Sequence, residues 1–204
     1  MALLHRTTLR PTKLELLSVW LPTRRWFQGE GDVERVAGFR FDDPAGAVGI
    51  ETMLVRSGDG PVHQVPLTYR GAPLPGGDEF LVGTAEHGAL GRRWVYDACG
   101  DPVYARALVR AILTDGGQAE EYFEADGRRE VRAATMTVTG SGGTEVPAVG
   151  AIRQVVDGDP TRVLTDTVEL TVRRRVDDTQ SSLPGLTGTW DGTPRLLAHA
   201  QISG

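Results

Sequence analysis

The spacing of apolar positions changes period several times along the chain, and each change marks an element. Between Thr12 and Leu21, Leu14, Leu17 and Leu21 recur at i, i+3 and i+7, the stripe of an amphipathic helix. Pro11 suits the first turn of that helix and Pro22 ends the pattern. From Val33 to about Asp97 the runs become short and rich in β-branched and aromatic residues. Val33–Phe41, Val48–Arg56, Val62–Tyr69, Glu79–Thr84 and Arg92–Tyr96 read as an antiparallel meander, with a hairpin turn at Ser57-Gly58-Asp59-Gly60 and a Pro/Gly loop over Ala72–Asp78.

A second helix is announced by Asp101 as N-cap and Pro102 in the first turn. Its core face is Ala105, Leu108, Val109, Ile112 and Leu113, and Gly116-Gly117 stops it. Gln118–Ala125 is expected to form a further short helix. Beyond Glu130 the pattern is β-rich again. Val131–Thr139 and Glu145–Val156 flank a Gly140-Ser141-Gly142-Gly143 turn, and Arg162–Val176 holds two runs around Thr165-Asp166. Leu186–Trp190 and Arg195–Gln201 are expected to pair as a last hairpin. The pattern predicts an α+β protein in two units, residues 1–117 and 118–204, with the boundary within 115–130.

Composition narrows the function classes. The net charge of −5 lacks the basic excess that supplies most nucleic-acid affinity. Cys99 is the only cysteine, so no intrachain disulfide forms, and only the four apolar residues Met1–Leu4 precede the first charge, too few for a secretory or membrane segment. A cytoplasmic protein is expected. Lys13 is the only lysine and asparagine is absent. Phosphoryl transfer needs a cation on the phosphates, metal-holding side chains and an Asp that orients the nucleophile. The chain has no Gly-x-x-x-x-Gly-Lys-Ser/Thr loop and no His-x-Asp catalytic loop.

Other chemistries are equally thin. His5, His63, His87 and His199 show no i, i+4 pairing, so neither a metal nor another cofactor is expected. Asp42-Asp43, Asp157/Asp159 and Asp177-Asp178 sit in turn-forming surroundings and read as turn caps. Cys99 reads as a passive thiol, and the Gly140–Gly143 run as a hairpin rather than a phosphate cradle. Trp20, Trp26 and Phe27 read as core, with Arg24 or Arg25 pairing a carboxylate such as Asp97. Arg173, Arg174 and Arg175 alternate faces of a strand, which suits a solvated edge or an anion contact.

The run Trp20-Leu-Pro-Thr-Arg-Arg-Trp-Phe-Gln-Gly-Glu-Gly31 resembles the opening signature of the N-terminal cap of maltokinases and related actinobacterial glucosamine kinases. Tyr96-Asp97-Ala98-Cys99-Gly100-Asp101-Pro102 resembles the end of the same cap. The resemblance implies a curved antiparallel sheet with packed helices, followed by a β-rich unit like a kinase N-lobe. In that lobe, Gly158-Asp159-Pro160-Thr161 falls at the phosphate loop, and Leu170–Arg175 resembles the strand that carries the nucleotide lysine, with Thr171 in the lysine position. Asp159, Thr161 and Thr171 are therefore expected to mark a degraded nucleotide site. The helical lobe of a kinase, roughly 200 further residues, is expected to be missing. The function expected is a non-catalytic accessory, regulatory or scaffold protein of carbohydrate metabolism (glucan, trehalose or amino-sugar) that binds another protein, with Arg24, Arg25, Trp26, Arg173 and Arg175 as candidate contacts. The alternative is a sensor that binds a nucleotide or sugar phosphate without turnover.

Overall fold

In the computed structural model, which describes residues 2–4, 9–125, 128–143 and 145–203, the first helix α1 spans Lys13–Trp20. Thr12, rather than Pro11, sets its start. The Thr12 hydroxyl accepts from the Glu15 amide at 3.2 Å, and the Thr12 amide donates back to the Glu15 carboxylate at 2.6 Å. This reciprocal capping box satisfies two donors that a helix start would otherwise leave unpaired.

Two short strands, β1 (Ala2–Leu4) and β2 (Leu9–Arg10), precede α1. The strands that follow it are β3 (Val33–Phe41), β4 (Gly49–Ser57), β5 (His63–Arg70), β6 (Leu81–His87) and β7 (Gly91–Asp97). They form a curled, all-antiparallel sheet in the order β2-β6-β7-β5-β4-β3. This departs from a simple meander, because β7 and not β6 lies beside β5. The loop over residues 71–80 is long enough to carry β6 past the neighbouring position. The more deeply buried end of β7, with Val95 and Tyr96, takes the interior place.

Alternation on β4 shows how both faces of this sheet are used. Met53 and Val55 point toward α1 and pack with Leu16, Leu17, Trp20 and Trp26, while Ile50 and Leu54 point into a second core. That second core is shared. It joins Phe39 and Phe41 of the first sheet to Leu108, Val109 and Ile112 of helix α2 (Pro102–Leu113), and to Val163, Leu170 and Leu197 from the second half. Asp101 anchors α2 twice: its carboxylate accepts from the Val103 amide at 2.9 Å and forms a two-pronged pair with Arg70, both contacts at 2.7 Å.

The second half follows the expected β pattern only in part. Gln118–Ala125 is not helical: Glu121–Ala125 is strand β8, which pairs in parallel with β1 and antiparallel with β9 (Arg128–Val131). Its Glu-Tyr-Phe-Glu sequence suits a strand as well as a helix, and pairing partners on both sides decide the case. The single run expected over Val131–Thr139 is broken into β9 and β10 (Thr137–Gly140) by a crossing over Arg132–Met136. That crossing covers the open edge of β3, where the Thr135 hydroxyl bonds both the amide and the carbonyl of Gly38 at 3.1 Å.

The remaining strands are β11 (Ile152–Val156), β12 (Thr161–Thr165), β13 (Val168–Val172), β14 (Gly185–Thr189) and β15 (Pro194–Ile202). Their antiparallel order is β10-β14-β15-β13-β12-β11, so the β12–β13 and β14–β15 hairpins form as the sequence implies. The glycine run at 140–143 is not a hairpin turn, because β10 pairs β14 and β11 pairs β12. It closes the end of α2 instead. The Gly142 amide donates to the Ile112 carbonyl at 2.9 Å, and a Cβ on Gly140 would stand 1.9 Å from the Ala111 carbonyl oxygen. Among the described residues no helix is long and apolar enough to cross a membrane.

Candidate functional site

The residues singled out in the sequence converge where β13 hands the chain back toward the first sheet. β13 ends at Val172, and Arg174 follows two residues later. Past the end of the strand, in a bend, the middle arginine of the Arg173–Arg175 run keeps the inward direction of Leu170 and Val172, and its side chain is fully buried. Its Nη2 donates to Asp97 Oδ2 at 2.5 Å and its Nε to the Thr161 hydroxyl at 2.7 Å. Its guanidinium lies 4.6 Å from the centre of the Trp26 ring. Burial disfavours the charged guanidinium, but the Asp97 carboxylate more than offsets that, so the pKa of Arg174 is raised. Asp97 therefore pairs Arg174, and not Arg24 or Arg25 as expected.

The loop before β12 is closed from within. The Thr161 hydroxyl donates to the Gly158 carbonyl at 2.9 Å, and Asp159 Oδ1 accepts the backbone amides of Arg174 and Arg175 at 3.0 and 3.2 Å. Asp157, next to the end of β11, accepts the Trp26 indole N–H at 2.8 Å, and Arg24 stands 3.9 Å from its other oxygen. Trp26 meets Trp20 edge to face with centroids 5.9 Å apart. Gln64 ties the two sheets further: its side-chain amide donates to the carbonyls of Arg173 and Leu197, both at 3.0 Å. Asp159, Thr161, Trp26 and Arg24 thus belong to one junction.

The other candidates lie elsewhere or are already engaged. Thr171 sits in the β13 ladder opposite Arg162 and His199. Arg173 reaches Asp177 at 3.0 Å and Thr179 at 3.1 Å, and Arg175 lies 3.8 Å from the same Asp177. The pair closes the turn after β13 rather than forming an open cationic edge. Arg25 is exposed, with no ion pair or hydrogen bond to its guanidinium among the described residues. Cys99 is fully buried and burial pushes its thiol pKa up, so it is inert. Asp43 caps its turn, accepting the amides of Ala45, Ala47 and Val48. His5 lies outside the described residues. Lys13 is bound at 2.5 Å to buried Glu51, which also accepts from Arg40 at 3.3 Å and from the Tyr69 hydroxyl at 2.8 Å. Among the described residues no group of three or more His, Cys, Asp or Glu side chains could hold a metal ion.

Arg174, the centre of the junction, was absent from the candidates. The signal was present in the run of three arginines, whose odd member must face opposite to the other two. On this sheet that direction is the core.

His63 borders the junction and makes it pH-sensitive. The residue is fully buried, and its Nε2 accepts the Gln28 amide at 3.2 Å, which a protonated ring cannot do. Burial lowers its pKa below the ordinary value of about 6.5. The unfolded chain therefore binds this proton first, and stability is lost as pH falls from about 6.5 toward the depressed folded value. Burial lowers the pKa of His199 as well. Urea midpoints at pH 7 and pH 5 should drop on acidification in the parent and drop less in His63→Gln. An equal drop in both would exclude His63 as a contributor.

The fold is α+β, built around a curled antiparallel sheet whose outer face is closed by one short helix and whose inner face shares a core with a second sheet. Residues 20–101 match the maltokinase N-terminal cap domain family. The match runs from the last turn of α1 through all of β3–β7 to the N-cap of α2, and it relates this part of the chain to carbohydrate kinases. No curated protein matches the chain.

Proposed function

We propose that this chain is an accessory unit derived from a carbohydrate kinase, which neither holds a nucleotide nor transfers phosphate itself and acts by binding another protein. One observation carries the reading. The loop that resembles a kinase phosphate loop is filled from within by the chain's own groups: Asp159 takes two backbone amides and Thr161 takes the buried Arg174. A phosphate at this place would have to displace a carboxylate from those amides and would find the neighbouring cation already paired. The single lysine, at the first position of α1, is already bound to the buried carboxylate of Glu51.

Calorimetry with Mg-ATP tests this directly. No binding heat is expected at concentrations up to about 100 μM, and none should appear in Thr171→Lys, because the lysine would join a ladder without the rest of the phosphate site. A Kd in the low micromolar range, about −8 kcal/mol, would overturn the reading and favour a nucleotide sensor.

A further inference from the structure

His63 is the first residue of β5, and its ring stands where the two halves of the chain meet. On one side runs the segment 24–32, which has no regular structure. The imidazole lies 6.0 Å from the Trp26 ring and 4.9 Å from the Phe27 ring, centre to centre, and its Nε2 takes the Gln28 amide. On the other side, residues 174–176 pair with the start of β5. The Gln64 amide donates to the Arg174 carbonyl at 2.7 Å and the Val176 amide to the Val62 carbonyl at 2.9 Å, with His63 opposite Arg175.

The ties of the segment are few and unequal. Trp26 is anchored through its indole N–H on Asp157, and the Gly31 carbonyl accepts the Ser57 hydroxyl at 2.8 Å. Neither bond involves the imidazole. Between these anchors, the Gln28 amide is the one backbone group with a hydrogen-bond partner outside the segment among the described residues, and that partner is His63. The β4–β5 turn blocks movement inward. A Cβ on Gly60 would stand 3.1 Å from the Gln28 carbonyl oxygen, and one on Gly29 2.8 Å from the Ser57 Cβ. A displaced Gln28 therefore moves outward, toward solvent.

Protonation strikes this bond directly. A neutral ring offers Nε2 as an acceptor, whereas an imidazolium carries a hydrogen on both nitrogens and accepts nothing. The Gln28 N–H would then face another N–H across 3.2 Å. Burial is the strongest influence on the ring and opposes the imidazolium, so the change falls below about pH 6.5. Among charged groups, Asp159 from the loop before β12 favours the imidazolium and Arg175 opposes it, while the backbone of Pro61 and of Trp26 also favours it. Once charged, the ring is drawn to those groups and repelled by the Gln28 amide.

We propose that His63 is an acid-sensitive latch: neutral, it holds residues 27–30 against the β4–β5 turn, and protonated, it lets them swing out while the two halves of the chain stay joined. The joint persists because the Arg174–Asp97 pair and the Gln64 bonds do not involve the imidazole. The latch needs no partner and stands whether or not the partner-binding reading does.

Amide hydrogen exchange of the intact chain, followed by NMR at pH 7 and pH 5, tests it. Rates are expressed as protection factors, so that the intrinsic pH dependence of exchange cancels. Protection of the Gln28 amide is expected to fall about tenfold or more on acidification, while that of Val109 in the middle of α2 stays within about threefold. In His63→Gln the side-chain carbonyl still offers an acceptor but takes up no proton, so the fall should vanish. Arg175→Gln changes an exposed side chain and removes the opposing cation, and it should move the midpoint of the fall to higher pH. That variant carries the test if His63→Gln does not fold. Unchanged Gln28 protection at pH 5, an equal fall in His63→Gln, a parallel fall at Val109 or an unmoved midpoint in Arg175→Gln would each overturn the latch.

Discussion

Arg174→Ala is expected to destabilise the protein by about 3–5 kcal/mol, because it leaves a buried carboxylate without its counter-ion. Asp97 is 5% exposed, and its second oxygen is already used by the Cys99 amide at 3.1 Å, so it cannot turn to water. The Thr161 hydroxyl loses its donor as well, and the Trp26 ring loses a packed planar group. For a domain held together by roughly 5–15 kcal/mol, this is a large fraction of the whole. Arg174→Met combined with Asp97→Asn removes both charges while keeping most of the volume, and should recover more than half of the loss. Urea unfolding of the parent and these two variants measures it. A single-variant cost under about 1 kcal/mol would mean that the ion pair does not form in solution.

Trp26→Ala is expected to cost a similar amount, about 3–5 kcal/mol, for a different reason: a large ring is removed from a site that cannot collapse around the gap. The ring is 5% exposed and is held by Trp20 on one side and Arg174 on another. Trp26→Phe keeps much of the packing but loses the indole N–H to Asp157, at a cost nearer 1 kcal/mol. If alanine costs less than about 1 kcal/mol, the ring is accessible in solution and becomes a candidate for ligand contact. Chemical denaturation followed by the fluorescence of the remaining tryptophans distinguishes these outcomes.

The helices and hairpins were legible in the sequence wherever the signal was local. Asp101-Pro102 with its apolar stripe specifies α2 unaided, and the β12–β13 and β14–β15 pairs follow from adjacent runs joined by turn residues. Long-range pairing was not legible. Nothing within Glu121–Ala125 reveals that β1 will lie parallel to it, and that partner is what makes it a strand. Gly140–Gly143 carried a true signal, the need for unhindered backbone, but the obstacle is the Ala111 carbonyl rather than a tight turn. The same holds at the junction. Trp26, Asp159 and Thr161 could be picked out as residues, whereas Arg174 and its pairing with Asp97 join positions 77 residues apart.

The shared core has a consequence for how the chain is made. Ile50 and Leu54 leave the ribosome well before the residues that close their inner face, Leu197 and Ala198, more than 140 residues later. At about 5–20 residues per second, that apolar face of the nascent first sheet waits roughly 7–30 s for its cover. Helix α2 emerges within that interval and can shield part of it, but the last turn of α2 still lacks the amide of Gly142. During that interval the apolar residues of this face have no cover from the second sheet, and apolar surface left uncovered in this way favours association.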